Sequence, residues 1–173
     1  MRIFLDTEFT DFKQPQLISI GLATEDERHF YAELNTFDSG SCSDFVKQVV
    51  LPQLGKQPHC VMDAERLHVE LTNWLTQFAR HEPVVCFDYH LDWALLLQAL
   101  NGQVPAWLRH ENVYYQLNDL VQEQFRVESG LSDHHALHDA IANRLAYRAE
   151  LGRTNFGAWT SRDSSAPVGK EAL

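Results

Sequence analysis

The N-terminal stretch IFLDTEF (residues 3–9) sets two acidic side chains inside an apolar run that is typical of a β-strand. Asp6 and Glu8 are two positions apart, so on a strand both point to one face while Thr7 points to the other. A carboxylate in an apolar environment is costly unless it has a partner. The stretch therefore predicts a first strand with paired acids; the competing interpretation is an exposed strand end with solvated acids.

Two further acidic positions lie in apolar surroundings. Asp92 opens an apolar helical pattern after a buried strand, and Asp139 lies in HHALHDAIA (134–142), five residues after His134. Four carboxylates in one half-buried site would repel one another unless cations held them together. The sequence therefore predicts a metal site made of carboxylates, and such sites suggest phosphate chemistry.

The hydrophobic pattern outward from the first strand predicts an α/β fold, a mixed central β-sheet flanked by α-helices. Small residues beside Asp139 should let the last helix approach the sheet closely and carry this acid towards the first strand. The predicted strands are 2–9, 16–24, 28–34, 83–87 and 113–117, and the predicted helices are 43–50, 63–78, 91–100, 119–127 and 135–151, the last capped by Ser132 or Asp133.

Length and charge limit the function classes. The chain has 173 residues and a net charge of −10, which suits one domain and argues against a broad basic surface for long nucleic acid. Bound divalent metals could still supply positive charge for a short nucleic-acid end. We expect a domain over 1–152 and a loosely ordered polar tail over 153–173.

The lack of a targeting signal in the sequence and the spacing of its cysteines favour a cytoplasmic protein. Cys42, Cys60 and Cys86 show no CxxC spacing and are odd in number, so a disulfide framework is not expected. The N-terminus has no signal-peptide pattern, and no apolar run reaches membrane-spanning length, so no membrane partner is predicted.

Taken together, the motifs resemble those of the DEDDh 3′-5′ exonucleases, the DnaQ-like or RNase T-like superfamily with an RNase H-like fold. The matching features are D-x-E at 6–8, Asp92 opening a middle helix, and H-x-x-x-x-D at 134–139. The DTEF start and the compact length are similar to the small bacterial exoribonuclease branch related to RNase T and oligoribonuclease.

The resemblance implies a role for each of these residues. Asp6, Glu8, Asp92 and Asp139 would hold two Mg²⁺ or Mn²⁺ ions, and His134 would be the general base that activates water. The expected reaction removes nucleoside 5′-monophosphates one at a time from the 3′ end of single-stranded RNA or DNA. Homodimers are common among such proteins, so the resemblance also favours a homodimer.

The resemblance also implies substrate contacts in the turn after the first strand. Phe12 falls where relatives place an apolar wedge between the last bases, and Phe9 and Thr10 line the turn that meets the terminal ribose. Ordinary core packing is the competing interpretation for the two phenylalanines. Two departures are Asp11, where many relatives carry Gly, and Asp88, where several carry Asn.

Three other interpretations stay open at this stage. The His138-Asp139 pair is also found in HD-type metal phosphohydrolases, which are essentially all-helical. A degenerate exonuclease fold could serve as a binding module without catalysis. A DNA exonuclease is barely distinguished from an RNA exonuclease, because the 2′-hydroxyl contacts that decide between them can come from backbone.

Overall fold

One mixed β-sheet of six strands runs through residues 1–148, the part of the chain that this computed structural model describes. In chain order the strands are β1 (Arg2–Phe9), β2 (Leu17–Thr24), β3 (His29–Leu34), β4 (Val61–Met62), β5 (Val84–Phe87) and β6 (Arg109–Asn112). Their order in the sheet is β4-β3-β2-β1-β5-β6, with β1, β2 and β3 antiparallel and the other pairings parallel. The predicted mixed α/β architecture is confirmed and is compatible with an RNase H-like fold.

Within the described residues, four α-helices flank the sheet: α1 (Ala64–Thr76), α2 (His90–Ala99), α3 (Asp119–Ser129) and α4 (Ala136–Ala146). The α1 helix buries one apolar face, as its sequence period predicts. The Asp63 carboxylate caps it by accepting a hydrogen bond from the Arg66 backbone N–H at 2.8 Å. Over residues 1–148, no helix has both the length and the apolar character needed to cross a bilayer.

The α4 helix lies unusually close to the central strands because only small residues separate them. Ala136 and Ala140 are fully buried where α4 packs on β1 and β2. A Cβ atom on Gly21 would lie 2.3 Å from the Ala136 carbonyl carbon, so only glycine fits there. Gly21 pairs with Asp6 in the β1–β2 register. The predicted close approach is thus confirmed, at the position where β1 carries its first acid.

The segment between β3 and α1 contains a short π-helix (Val46–Val50) and a 3-10 turn (Leu51–Gln53). The Ser43 hydroxyl accepts a hydrogen bond from the Val46 N–H at 3.2 Å, although the N-cap residue of the π-helix is Phe45 and not the predicted Ser43. Val46 and Val50 are buried against Ile18 of β2. The segment is therefore fixed to the sheet.

One strand predicted from sequence was wrong, and two strands of the sheet were not predicted. The predicted strand 113–117 is a turn (Tyr114–Gln116), and the last strand of the sheet is Arg109–Asn112. The sequence RHEN is mostly exposed on an edge strand, so backbone pairing rather than apolar alternation holds it in the sheet. The two-residue strand β4 was too short to predict.

The last helix also differs from its prediction. It ends at Ala146, and the next residue, Tyr147, is extended and pairs with Leu117, whereas the sequence suggested a helix to 151. The N-cap is His135 and not Ser132 or Asp133. Positions after 148, including the predicted tail at 153–173, lie outside the described residues.

Two interpretations of the sequence, one of the His138-Asp139 pair and one of the cysteine spacing, can be compared with the described part of the chain. The six-stranded sheet contradicts the all-helical HD-type phosphohydrolase interpretation. The three cysteines are buried free thiols between residues 1 and 148, as their spacing predicted.

Candidate active site

Five carboxylates meet at the carboxyl end of β1. Oxygen atoms of Asp6, Glu8 and Asp139 lie within 4.8 Å of one another, and so do those of Asp6, Asp88 and Asp92. Asp6 is common to both groups. The fold therefore brings together the four acids predicted from sequence and adds Asp88, whose role the sequence left open.

Asp92 is the most buried of these acids, with 2% of its surface exposed. It lies in the first turn of α2, and its Oδ1 accepts hydrogen bonds from the Thr7 N–H at 3.2 Å and the Thr7 hydroxyl at 2.7 Å. Its Oδ2 is buried and has no hydrogen-bond partner among residues 1–148. An unpaired buried carboxylate oxygen is costly, which is the state expected of an atom whose partner is a cation.

Asp139 is held in place by backbone and by an arginine. Its Oδ2 accepts a hydrogen bond from the His135 N–H at 3.2 Å, which caps the start of α4 from within the helix. Its Oδ1 lies 3.2 Å from Nη2 of Arg126, which projects from α3. The Arg126 Nε also lies 3.1 Å from Asp133, without the geometry of a hydrogen bond. Sequence reasoning did not identify Arg126, because no local pattern links it to Asp139.

The acids share a strongly unfavourable electrostatic environment. Burial, together with the negative charges of its four acidic neighbours, raises the pKa of Asp6 well above its usual value. Burial followed by the charges of Asp139 and Asp92 raises the pKa of Glu8 to about 8. Burial raises the pKa of Asp92 to about 7 and that of Asp139 to about 6, although hydrogen bonds oppose both shifts. Burial likewise raises the pKa of Asp88.

These shifts agree with a site built to receive positive charge. Mutual repulsion and burial both disfavour the ionised forms, and a bound cation would reverse both effects. An all-oxygen set of carboxylates is the ligand chemistry that Mg²⁺ and Mn²⁺ prefer. The residues present therefore fit a divalent metal ion.

His134 lies at the rim of this cluster, immediately before the N-cap residue of α4. Its φ angle is 56°, in the left-handed region that costs a non-glycine residue about 1–2 kcal/mol. Its ring contacts the Phe45 ring edge-on, with centroids 4.8 Å apart, and its Nε2 lies 3.5 Å from an oxygen of Asp133. The side chain remains nearly half exposed, so it can meet a molecule in the cleft.

A cleft of about 690 Å³ contains the acids and His134. Part of its wall is aromatic: Phe12, which is 73% exposed, packs edge-on against Phe9 at 5.2 Å and lies 6.1 Å from Tyr89. Exposure of Phe12 contradicts the core-packing interpretation for this residue, whereas Phe9 also packs against the core. Sequence reasoning missed Tyr89 and Phe45, because single aromatics in polar segments carry no periodic signal.

Thr10 and Asp11 shape the turn that follows β1. The Thr10 hydroxyl is fully buried and accepts a hydrogen bond from the Gln16 N–H at 3.0 Å. The Asp11 carboxylate accepts hydrogen bonds from the N–H groups of Lys13 and Gln14 at 3.0 and 2.8 Å. The Thr10 side chain is therefore occupied by hydrogen bonds within the turn. Its predicted contact with the substrate stays a prediction, in which the Thr10 backbone would meet the terminal ribose.

Fold and site together define a class: a mixed α/β protein whose acidic cleft could hold divalent metal ions. Two curated proteins of Mycobacterium tuberculosis, from strains CDC 1551 / Oshkosh and H37Rv, are each 46% identical to this chain over 55 residues. Both are named 3′-5′ exoribonuclease. The match spans 31% of this chain and 33% of each relative, which is about a third of their length. No protein-family model matches the chain.

Proposed function

We propose that this protein is a metal-dependent 3′-5′ exonuclease that hydrolyses single-stranded RNA or short oligonucleotides to nucleoside 5′-monophosphates. We further propose that it is a DEDDh exonuclease related to RNase T and oligoribonuclease. The observation that carries the proposal is the meeting of Asp6, Glu8, Asp92 and Asp139 in one cleft, where the Asp92 Oδ2 is buried without a hydrogen-bond partner among residues 1–148. The exoribonuclease names of the two partial relatives support the same activity.

The acids are the proposed ligands of two ions. Asp6 belongs to both groups of oxygens, which it forms with Glu8 and Asp139 in one case and with Asp88 and Asp92 in the other. These side chains would hold the ions. Bound Mg²⁺ or Mn²⁺ would neutralise charge on the scissile phosphate and favour ionisation of a bound water.

His134 is the proposed general base. It borders the acidic cluster and is exposed to the cleft, so an imidazole nitrogen can accept a proton from a water molecule that attacks phosphorus. The leaving group is the 3′ oxygen of the preceding nucleotide, which takes up a proton from solvent. The products are a nucleoside 5′-monophosphate and a chain one nucleotide shorter.

The aromatic walls indicate a single-stranded substrate. Phe12 and Tyr89 expose ring surface at the mouth of the cleft, and stacking of unpaired bases on such rings tolerates any sequence. Phe9 and the backbone of Thr10 complete this proposed subsite. The protein is acidic overall, so the negative charge of the substrate would be compensated locally at the metal site rather than by a basic surface.

The direct test is a product ladder from 5′-labelled RNA and DNA single strands with Mg²⁺, Mn²⁺ or a chelator. We expect stepwise shortening from the 3′ end with either metal and none with the chelator. Shortening of DNA but not RNA would favour the DNA exonuclease alternative. Binding without shortening in Mn²⁺ would contradict catalysis and support a binding module.

Variants of the acids complete this test. Asp6→Asn and Asp139→Asn keep side-chain size but remove charge, so each should abolish shortening almost completely in a folded protein. The matched control is Glu123→Gln, which removes an exposed charge on α3 outside the cleft. Near-normal turnover in either cleft variant would show that the site assignment is wrong.

A further inference from the structure

The side chain of Gln53 links two segments that are 80 residues apart in sequence. Its Nε2 donates to the Asp133 carbonyl at 2.9 Å and to the His134 carbonyl at 3.0 Å, and it lies 3.1 Å from the Val49 carbonyl. The Ser132 hydroxyl donates to Gln53 Oε1. One amide group therefore contacts three consecutive residues of the loop that precedes α4.

The chemistry of this contact fixes how the amide is oriented. Backbone carbonyls only accept hydrogen bonds, so the nitrogen of Gln53 must face them while its oxygen faces the Ser132 hydroxyl. A carboxylate at position 53 could not donate to the carbonyls, and an apolar side chain would leave them without this donor. The neutral amide is thus well matched to the loop.

The loop needs an external support. His134 has a left-handed backbone with φ of 56°, which a histidine adopts only when surrounding contacts hold it. The N-cap residue His135 has no side-chain capping bond, and the loop residues 132–134 are exposed. Packing of the loop itself therefore contributes little to the position of the His134 ring.

One support comes from residues 45–53, besides Arg126 of α3, whose Nε lies 3.1 Å from Asp133, and His138, whose Nδ1 lies 3.1 Å from the Ser132 carbonyl. Phe45 packs edge-on against the His134 ring at one end of the π-helix Val46–Val50, and Gln53 binds the loop backbone beyond its other end. The π-helix is itself buried against Ile18 of β2. A path of direct contacts thus runs from the central sheet to the imidazole.

We propose that Gln53 is a positioning residue for catalysis, which holds the loop 132–134 in the conformation that directs the His134 ring over the acidic cluster. The proposal rests on the proposed function, in which His134 is the general base. Gln53 does not touch the substrate; it acts through His134. Its loss should lower the rate of the chemical step and leave substrate binding unchanged.

The test compares Gln53→Leu and Gln53→Glu with the matched control Gln48→Leu, which changes an exposed glutamine of the same π-helix. Since a small misplacement of a catalytic group costs up to about 10²-fold in rate, we expect kcat to fall by about 10–10²-fold in both Gln53 variants with KM unchanged. Gln48→Leu should match the wild type. A wild-type kcat in Gln53→Leu would overturn the proposal.

A second measurement separates positioning from a general loss of stability. In a His134→Ala background, Gln53→Leu should cause no further loss of kcat, because its effect passes through the missing imidazole. An equal loss in both backgrounds would overturn the proposal. Hydrogen exchange at the backbone of residues 132–135 should be faster in Gln53→Leu, with β1 and β2 unchanged; unchanged exchange in the loop would also contradict it.

The outcomes distinguish this inference from the function on which it rests. If the wild type shows no metal-dependent shortening, the proposed function fails and the inference falls with it. If the wild type is active and the Gln53 variants behave like the control, only the inference fails.

Discussion

At the scale of single residues, the site consists of acids that the protein buries at a cost. Asp6, Glu8 and Asp92 were predictable because charged residues interrupt apolar runs, and a buried charge requires a partner. Gln53 and Arg126 were not predictable, since each acts through contacts with residues far away in sequence. The residues proposed to carry the chemistry therefore left a sequence signal, whereas those proposed to position them left none.

Replacement of His134 by Ala should slow turnover while metal binding is retained. The imidazole is the proposed proton acceptor, and loss of a general base costs about 10²–10⁴-fold in rate. Single-turnover rates with Mn²⁺, compared with Mn²⁺ affinity from calorimetry, would measure the two effects separately. A rate within about threefold of the wild type would contradict the assignment, because that lies well below the usual effect of such a base.

Replacement of Phe12 by Ala should weaken substrate binding more than catalysis. Stacking of one base on an aromatic ring contributes about 1–3 kcal/mol, so we expect KM to rise by about tenfold or more with little change in kcat. The matched control is Leu120→Ala, which removes another highly exposed apolar side chain, on α3 and outside the cleft. Equal KM values for Phe12→Ala and the control would exclude the stacking role.

At the scale of elements, the close packing of α4 on the central strands carries Asp139 to Asp6 and Glu8. Replacement of Gly21 by Ala should disrupt this packing, because the added Cβ would lie 2.3 Å from backbone of Ala136. We expect the free energy of unfolding to fall by about 1–3 kcal/mol or more.

Urea unfolding would measure the effect of Gly21→Ala against Gly40→Ala. Gly40 is exposed, and its added Cβ would meet only the side chain of Asp38, at 3.1 Å. The control should change stability by less than about 0.5 kcal/mol. If the two variants were equally stable, the close approach of α4 would not contribute to the stability of the fold.

Most elements were predictable because their side chains follow a clear period. The apolar strand 2–9 matched the structure at both ends, and the amphipathic helix after Asp63 was also found. The strand β6 and the end of α4 were not predicted correctly for a common reason. The polar sequence RHEN of β6 has no strand pattern, and the end of α4 depends on pairing between Tyr147 and Leu117. Such features come from tertiary contacts that no local pattern contains.

At the scale of the whole molecule, the acidic cluster should make the metal-free protein less stable as the pH rises. The pKa of Glu8 is raised to about 8 and that of Asp92 to about 7, so the folded state binds more protons than the unfolded state below these values. By linkage, the free energy of unfolding must therefore fall as the pH increases through this range. The contribution of the protonated acids to the free energy of unfolding is largest at low pH and is lost by about pH 8.

The pH window for this test is 6.5–8. Burial lowers the pKa of His135 to about 4 and also lowers the pKa values of His29 and His138, which gives the opposite slope mainly at lower pH, where the unfolded histidines bind most protons. Thermal unfolding in a chelator should show Tm falling across the window, and Glu8→Gln should flatten the slope. A Tm that rises with pH in the wild type would contradict this electrostatic explanation.

Homodimerisation of the protein stays a prediction, to be measured by sedimentation.

The proposed function depends on the joint binding of divalent ions by Asp6, Glu8, Asp92 and Asp139. Anomalous diffraction from crystals soaked with Mn²⁺ and a nucleoside 5′-monophosphate would reveal such ions. We expect manganese peaks within coordination distance of these carboxylates, one of them near the Asp92 Oδ2, which has no hydrogen-bond partner among residues 1–148. A map without a manganese peak between the four acids, at full nucleotide occupancy, would contradict it.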